Sequence, residues 1–188
     1  MNGFEIRTRE KKDAIKAASF ELFNKYGFDA VKITDIAKKA RVSKVSIYNY
    51  FGSKEELARQ VLTDFMDKKL LEFKSSLDGN SSFKEKFEIL YKLKITTAEN
   101  LHESLFSDKI LRSPKMQQII NTYYETKSKP LFFQLIEQGK REGDIDPDLS
   151  NEALLTYIES FMDITSLTLD KKQLIDLAKL IFYGFRGK

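Results

Sequence analysis

The feature that most constrains this chain is the spacing of its apolar residues, which recur every three or four positions along nearly the whole sequence. Apolar side chains at that spacing form one face of an α-helix, whereas a half-buried strand needs strict alternation. Glycine and proline fall mostly between these repeats, where helices begin and end. Alternation occurs only at residues 30–33, which is too short for a sheet. The pattern predicts an all-α fold of about nine helices.

Helix-terminal signals divide the first third of the chain. The apolar repeat Ile15–Tyr26 is followed by Gly27, a residue that commonly ends helices. Thr34 and Ser43 are the predicted N-caps of two short helices, because their hydroxyls can accept hydrogen bonds from the first turn. Ser53–Glu56 has the pattern of a capping box and opens a long helix.

The same signals organise the remaining two thirds. Ser82–Glu85 is a second capping box, and Ser113 caps a long helix that ends before Gly143. Pro130 lies inside this long helix and is expected to kink or split it. The helices predicted here are residues 82–101, 107–112, 113–142, 150–167 and 170–185.

Amino-acid composition removes several functional classes. The chain has no Cys and one His, so disulfides, thiolate nucleophiles, Cys-bound metals and multi-His metal sites within a chain are excluded. A Ser-His-acid triad would have to use His102, and the chain has no Gly-x-Ser-x-Gly motif to supply the serine nucleophile. The pair Glu99 and His102 occurs once, whereas di-iron bundles need such a pair twice. We therefore expect no enzyme, no metal and no cofactor.

Charge is distributed unevenly along the chain. Residues 1–54 carry 12 Lys and Arg against 6 Asp and Glu, whereas residues 55–188 carry 20 against 22. A basic first third is expected of a segment that meets a polyanion, although a solvated basic face has the same composition. No signal peptide or long apolar run is visible, which predicts a cytoplasmic protein that joins the nucleoid when bound to DNA.

Residues 28–56 combine two short helices, a tight turn between them and the start of a long helix. The second helix, residues 44–50, is too short to be stable alone, and Ile47 and Phe51 can attach it to its neighbours. Its opposite face carries groups suited to a major groove: amide and hydroxyl for base edges, valine for a thymine methyl, lysine and tyrosine for phosphates. This pattern predicts a helix-turn-helix, with a plain three-helix hairpin as the alternative.

The amino-acid sequence of this segment strengthens the prediction of a helix-turn-helix. Residues 28–37, FDAVKITDIA, and residues 42–57, VSKVSIYNYFGSKEEL, closely resemble the TetR family of bacterial repressors, and the resemblance covers about residues 8–67. It implies a recognition helix at Ser43–Tyr50, phosphate-binding roles for Tyr48 and Lys54, and a helix-capping role for Thr34. The predicted DNA-binding residues are Thr34, Ser43, Lys44, Val45, Ser46, Tyr48, Asn49, Tyr50 and Lys54.

Two positions depart from the family pattern. Arg41 occupies the usual place of a turn glycine, so the turn must tolerate a side chain. Val45 replaces a residue that is often smaller, which bears on how closely the helix approaches the bases. We assign residues 1–53 to a DNA-binding domain and residues 54–188 to a helical domain for effector binding and dimerisation.

The last two predicted helices are too apolar for the surface of a monomer. One face of each helix can fill the subunit core, and the remaining apolar residues need a second subunit to cover them. TetR-like proteins dimerise through their last two helices, and a two-fold dimer would bind near-palindromic double-stranded DNA. The predicted interface residues are Leu155, Ile158, Met162, Leu174, Leu177, Ile181, Phe182 and Phe185.

Aromatic residues are concentrated in the middle of the chain. They are either core residues or the lining of a mostly apolar effector pocket with a few polar groups. The resemblance implies that a small effector would move the long helix after Ser53 and release a repressor from DNA. The candidate pocket residues are Phe87, Tyr91, His102, Phe106, Tyr123, Tyr124, Phe133 and Phe161. An architectural or adaptor protein, which binds DNA and a protein partner, is the alternative function.

Overall fold

The computed structural model of the protein describes residues 3–77, 79–100, 108–164 and 171–184. All regular secondary structure in these ranges is helical, which confirms the all-α prediction. A π-helical turn, Tyr124–Ser128, joins α7 to α8. The α-helices are α1 Gly3–Tyr26, α2 Ile33–Ala40, α3 Lys44–Phe51, α4 Lys54–Leu77, α5 Phe83–Asn100, α6 Asp108–Leu111, α7 Pro114–Tyr123, α8 Lys129–Glu142, α9 Asn151–Ile164 and α10 Lys171–Gly184.

Two helices after residue 80 begin where the sequence predicts, the first of them at its predicted capping box. Ser82 and Glu85 form a complete capping box, in which the Ser82 N–H donates to Glu85 Oε2 (2.8 Å) and the Glu85 N–H donates to Ser82 Oγ (3.3 Å). At the start of α9 the Ala153 N–H donates to Ser150 Oγ (3.1 Å). These bonds satisfy N–H groups that the first turn of a helix leaves without partners.

The start of α2 differs from the prediction. Its N-cap is Lys32, and Thr34 is the second residue of the helix. The Lys32 N–H donates to Asp35 Oδ2 (3.0 Å), so a carboxylate inside the first turn supplies the capping contact. The prediction of Thr34 as the cap is therefore wrong. The helix begins earlier because Ile33 is buried in the core beneath it.

The predicted capping box at the start of α4 forms only in part. The Glu56 N–H donates to Ser53 Oγ (3.0 Å), as expected. The Glu56 carboxylate instead accepts from Arg59 (2.7 Å) and from Lys115 (2.8 Å). The hydrogen bonds from Lys115 and Arg59 lower the pKa of the Glu56 carboxyl. Two cations hold this carboxylate more strongly than one backbone N–H can.

Pro130 divides the predicted long helix into two α-helices that a π-turn joins. It is the second residue of α8, directly after the π-turn, in which the Lys129 N–H donates to the Tyr124 carbonyl five residues earlier. A proline cannot donate a hydrogen bond, and its ring crowds the carbonyl four residues before it. The wider π-turn accommodates both effects without ending the helix.

The chain divides into two compact units. Unit one is Met1–Lys69 with Asn100–Asn121, and unit two is Leu70–Glu99 with Thr122–Lys188. The core of unit one includes Ile110 and Met116, so α6 and α7 pack with the N-terminal helices. The boundary between the two units therefore falls inside α4, between Lys69 and Leu70. The predicted boundary between a DNA-binding and an effector-binding domain, after residue 53, stays a prediction. The core of unit two comprises Phe73, Phe83, Phe87, Phe132, Leu135, Ile136, Ile145, Leu154, Leu155 and Ile158.

A buried polar network crosses unit two. The Lys86 side chain, only 5% exposed, donates to the Leu77 carbonyl (2.7 Å) and to Gln138 Oε1 (3.0 Å). Gln138 Nε2 donates to Glu142 Oε1 (2.6 Å), and the Phe83 N–H donates to Glu142 Oε2 (2.7 Å). The network ties the end of α4 and the start of α5 to α8.

Candidate nucleic-acid interface

The turn between α2 and α3 has no glycine. Arg41 adopts the left-handed conformation (φ 56°, ψ 43°) and ends α2, with its N–H donating to the Lys38 carbonyl (3.3 Å). The next N–H, of Val42, donates to the Ala37 carbonyl (3.0 Å). The turn therefore tolerates a side chain, as predicted, although this backbone conformation costs an L-residue about 1–2 kcal/mol.

The helix α3 has two unlike faces. Ile47 is fully buried and Phe51 is 4% exposed, and both belong to the core of unit one. On the other side Val45 and Tyr48 are 65% and 50% exposed, and Lys44 and Asn49 are exposed as well. A short helix held by two buried side chains thus presents the predicted polar and apolar groups outward together.

Both ends of α3 are fixed by local hydrogen bonds. Ser43 is the N-cap, as predicted: its Oγ accepts from the Ser46 N–H (3.0 Å) and lies 2.9 Å from Ser46 Oγ. At the other end Gly52 has φ 78°, and its N–H donates to the Tyr48 carbonyl (2.8 Å). The two serine hydroxyls bond to each other, so their visible role is to set the start of the helix.

Lys12 is a basic residue near α3 that the sequence patterns did not reveal. Its Nζ lies 5.7 Å from the centre of the Tyr50 ring, and Tyr50 is half-buried beside Phe51. The last turn of α3 has no basic residue of its own. A cation from α1 therefore lies close to the ring of Tyr50, which is in the last turn of α3. Only the packing of α1 on α3 brings these residues together.

Lys54 begins α4 and points back toward the segment after α1. Its Nζ donates to the Phe28 carbonyl (2.6 Å) and lies 4.1 Å from the centre of the Phe28 ring. Burial lowers the pKa of Lys54, against the opposing effect of the Asp29 and Glu55 carboxylates. The residue is half-buried, so it supports the chain before α2 and also stands beside the start of α4. Thr34 is exposed in the first turn of α2.

The candidate effector residues that the structure describes lie on α5, at the end of α7, in the π-turn and on α8. Phe87 and Tyr123 are buried, and Tyr91, Tyr124 and Phe133 are half-buried against the unit two core. His102 and Phe106 lie outside the described residues, and the Phe161 side chain is also outside the described part.

Three of the predicted interface side chains can be placed. Leu155 and Ile158 are buried in the core of unit two, and Leu177 is half-buried against it, so the chain itself covers them. Leu180, which the sequence analysis did not select, is 63% exposed on α10. The other predicted interface side chains, which are outside the described part, are Met162, Leu174, Ile181, Phe182 and Phe185.

Residues 15–61, from the middle of α1 into α4, match the model of the family described as bacterial regulatory proteins, tetR family. The chain is a TetR-family transcriptional regulator. This assignment makes it a DNA-binding protein with regulatory rather than enzymatic activity. It also confirms the helix-turn-helix that α2, Arg41 and α3 form.

Relatives and solved structures extend the similarity beyond this segment. The TetR-family regulator is 26% identical over 153 residues to the HTH-type transcriptional repressor KstR2 of Mycolicibacterium smegmatis, covering 79% of this chain and 74% of that protein. The fatty acid degradation regulator FadR of Bacillus halodurans shares its fold with a TM-score of 0.69, at 21% identity over 94% and 95% of the two chains. FadR of Bacillus subtilis, solved in complex with stearoyl-CoA, has a TM-score of 0.68, at 18% identity over 93% and 97%.

Two further findings concern this TetR-family chain. None of the described helices is both long and apolar enough to cross a membrane. In the same part of the chain, no group of three His, Asp or Glu side chains is arranged to hold a metal ion.

Proposed function

We propose that this protein is a repressor that binds a near-palindromic operator as a homodimer and leaves it when a small, largely apolar effector binds. It would act in the cytoplasm, at the nucleoid. The observation that carries the proposal is the two-faced helix α3, because its inner side is anchored by Ile47 and Phe51 while its outer side is exposed. An exposed recognition helix held by a small core is the arrangement that enters a major groove.

The exposed residues divide by chemistry into two groups. Asn49 and Val45 can contact base edges, the first by hydrogen bonds to adenine and the second against a thymine methyl. Tyr48 and Lys44 suit phosphates, which position the protein without reading sequence. Lys54, Thr34 and Ser43 stand at the starts of helices, where backbone N–H groups also favour phosphates. Ser46 and Tyr50 lie at the edge of this surface.

The homodimer would form through α9 and α10. A single α3 offers too small a contact for high affinity, whereas two copies related by a two-fold axis read two half-sites. Leu155 and Ile158 are already buried within the chain, so the exposed Leu180 is the better interface residue among those described. A second copy that packs on α10 would bury this exposed leucine.

The effector proposal is supported by relatives and by the composition of unit two. KstR2 is named a transcriptional repressor, and FadR of Bacillus subtilis was solved with stearoyl-CoA. The candidate residues Phe87, Tyr91, Tyr123, Tyr124 and Phe133 contribute large apolar surfaces with a few hydroxyls, which suits a largely apolar ligand.

The first experiment recovers DNA fragments from sheared genomic DNA of the source organism with the purified protein near physiological salt. A short near-palindrome upstream of a gene is expected. Recovery of no particular sequence would contradict sequence-specific repression and favour an architectural or adaptor protein.

Three variants then test the assigned roles on the recovered operator. Tyr48→Phe should weaken binding to all sequences alike, whereas Asn49→Ala should change the ranking among operator variants, with a loss of about 1–3 kcal/mol at one position. Leu180→Asp should separate the dimer in light scattering and weaken operator binding. Leu71→Asp is its matched control, because Leu71 is 65% exposed and Leu180 is 63% exposed. A Leu180→Asp protein that stays dimeric would place the interface elsewhere.

A further inference from the structure

The hydroxyl of Tyr91 is an isolated polar group in unit two. The residue lies on α5 and packs against the unit two core, next to a cluster of aromatic and aliphatic side chains. Its phenol oxygen is buried from solvent and has no hydrogen-bond partner among the described residues. A buried donor without an acceptor is destabilising, and native proteins keep few of them. This hydroxyl therefore requires an explanation.

The surroundings of Tyr91 define what the hydroxyl can bind. Burial raises the pKa of the phenol, and the Asp176 carboxylate raises it further. The group is therefore a neutral O–H donor at physiological pH. A second negative charge beside it would be repelled by Asp176 and would also lose its hydration. The acceptor that fits is an uncharged oxygen.

We infer that the Tyr91 hydroxyl is the polar contact of the effector site and donates a hydrogen bond to an uncharged oxygen of an otherwise apolar effector. The chemical class is a hydrocarbon body that carries a ketone, ester, thioester or hydroxyl oxygen. The inference rests on the proposed function and adds to it the chemistry of the ligand. Phe87, which lies one helical turn before Tyr91 on α5, would contact the hydrocarbon body, and Tyr91 would select for the oxygen.

The first test measures thermal unfolding without any ligand. Tyr91→Phe removes only the hydroxyl, so the melting temperature should stay unchanged or rise, because no hydrogen bond is lost. Tyr26→Phe makes the same change on an exposed tyrosine of α1 and serves as the control. A fall of several degrees for Tyr91→Phe alone would mean that the hydroxyl already has a partner, and the inference would fail.

The second test compares two pairs of probes by native mass spectrometry and calorimetry: 2-undecanone with undecane, and androst-4-en-3-one with androst-4-ene. The ketone of at least one pair should bind the wild-type protein about tenfold more tightly than its hydrocarbon. Tyr91→Phe should abolish that preference, and Tyr26→Phe should retain it. No preference for either ketone in the wild-type protein would overturn the inference.

Operator binding distinguishes this inference from the proposed function. If a compound releases the wild-type protein and Tyr91→Phe from the operator at the same concentration, the repressor proposal stands and the role of Tyr91 does not. If the protein recovers no specific operator while Tyr91 still selects ketones, the proposed repressor function fails and the binding site remains.

Discussion

Unit one and unit two keep their functional groups at different depths. In unit one the candidate DNA contacts Val45, Tyr48 and Asn49 lie on the surface, and the core beneath them is apolar. In unit two the noteworthy polar groups are Lys86, which is buried in a hydrogen-bonded network, and Tyr91, whose hydroxyl is buried without a partner. Surface groups can be exchanged without altering the core. Replacing a buried polar group changes the stability of the fold as well as any function that the group has.

The largest effect should come from the anchor of α3. Ile47→Ala leaves a cavity under the recognition helix and should lower the free energy of unfolding by about 2–5 kcal/mol, with loss of operator binding. Val45→Ala, on the exposed face of the same helix, should change stability by less than about 0.5 kcal/mol. Chemical denaturation followed by circular dichroism measures both. Equal effects would show that α3 has no dominant anchor.

The next effect concerns the polar network of unit two. Lys86→Met keeps the apolar stem but removes the ammonium that bonds the Leu77 carbonyl and Gln138. We expect a loss of about 2 kcal/mol, because hydrogen bonds to charged groups contribute more than neutral ones. Lys84→Met, on the exposed side of α5, is the matched control. A Lys86→Met protein as stable as its control would make the network energetically neutral, like many buried charged groups.

A smaller effect of opposite sign is expected at the turn of unit one. Arg41→Gly relieves the left-handed backbone conformation and should stabilise the protein by about 1 kcal/mol. Arg41→Ala keeps that conformation on a residue with a Cβ and should give little gain. Denaturant midpoints of the three proteins provide the measurement, and a gain for Arg41→Ala equal to that for Arg41→Gly would remove backbone strain as the cause.

The smallest effect is the response of unit two to acid. The Phe83 N–H, and after it Gln138, lowers the pKa of Glu142 from its ordinary value of 4.5. The stabilisation is therefore complete above about pH 4.5 and is lost as the pH falls through the lower value in the folded protein. Glu142→Gln should reduce the fall in melting temperature below pH 4.5 by about 1–2 °C, because the carboxylate is exposed. If Glu142→Gln shows the same fall as the wild-type protein, the hydrogen bonds from Phe83 and Gln138 do not contribute to the acid response.

The accuracy of the sequence predictions follows the distance over which each interaction acts. The caps Ser43 and Ser82 and the interruption at Pro130 were predictable, because their partners lie within five residues. The assignment of Thr34 failed because the burial of Ile33, a tertiary effect, moved the helix start. The Glu56 carboxylate was predicted to accept from the Ser53 N–H, but it accepts from Lys115, which lies 59 residues away in sequence.

The sequence by itself determined that the chain is helical, where most helices begin and which side of α3 is exposed, because apolar periodicity and capping are properties of one or two helical turns. Only the tertiary structure decided that α6 and α7 pack with the N-terminal helices, that Lys12 stands over Tyr50, and that Lys86 joins α4 to α8 through Gln138. These pairings depend on how separate helices approach each other, and a single sequence does not record that approach.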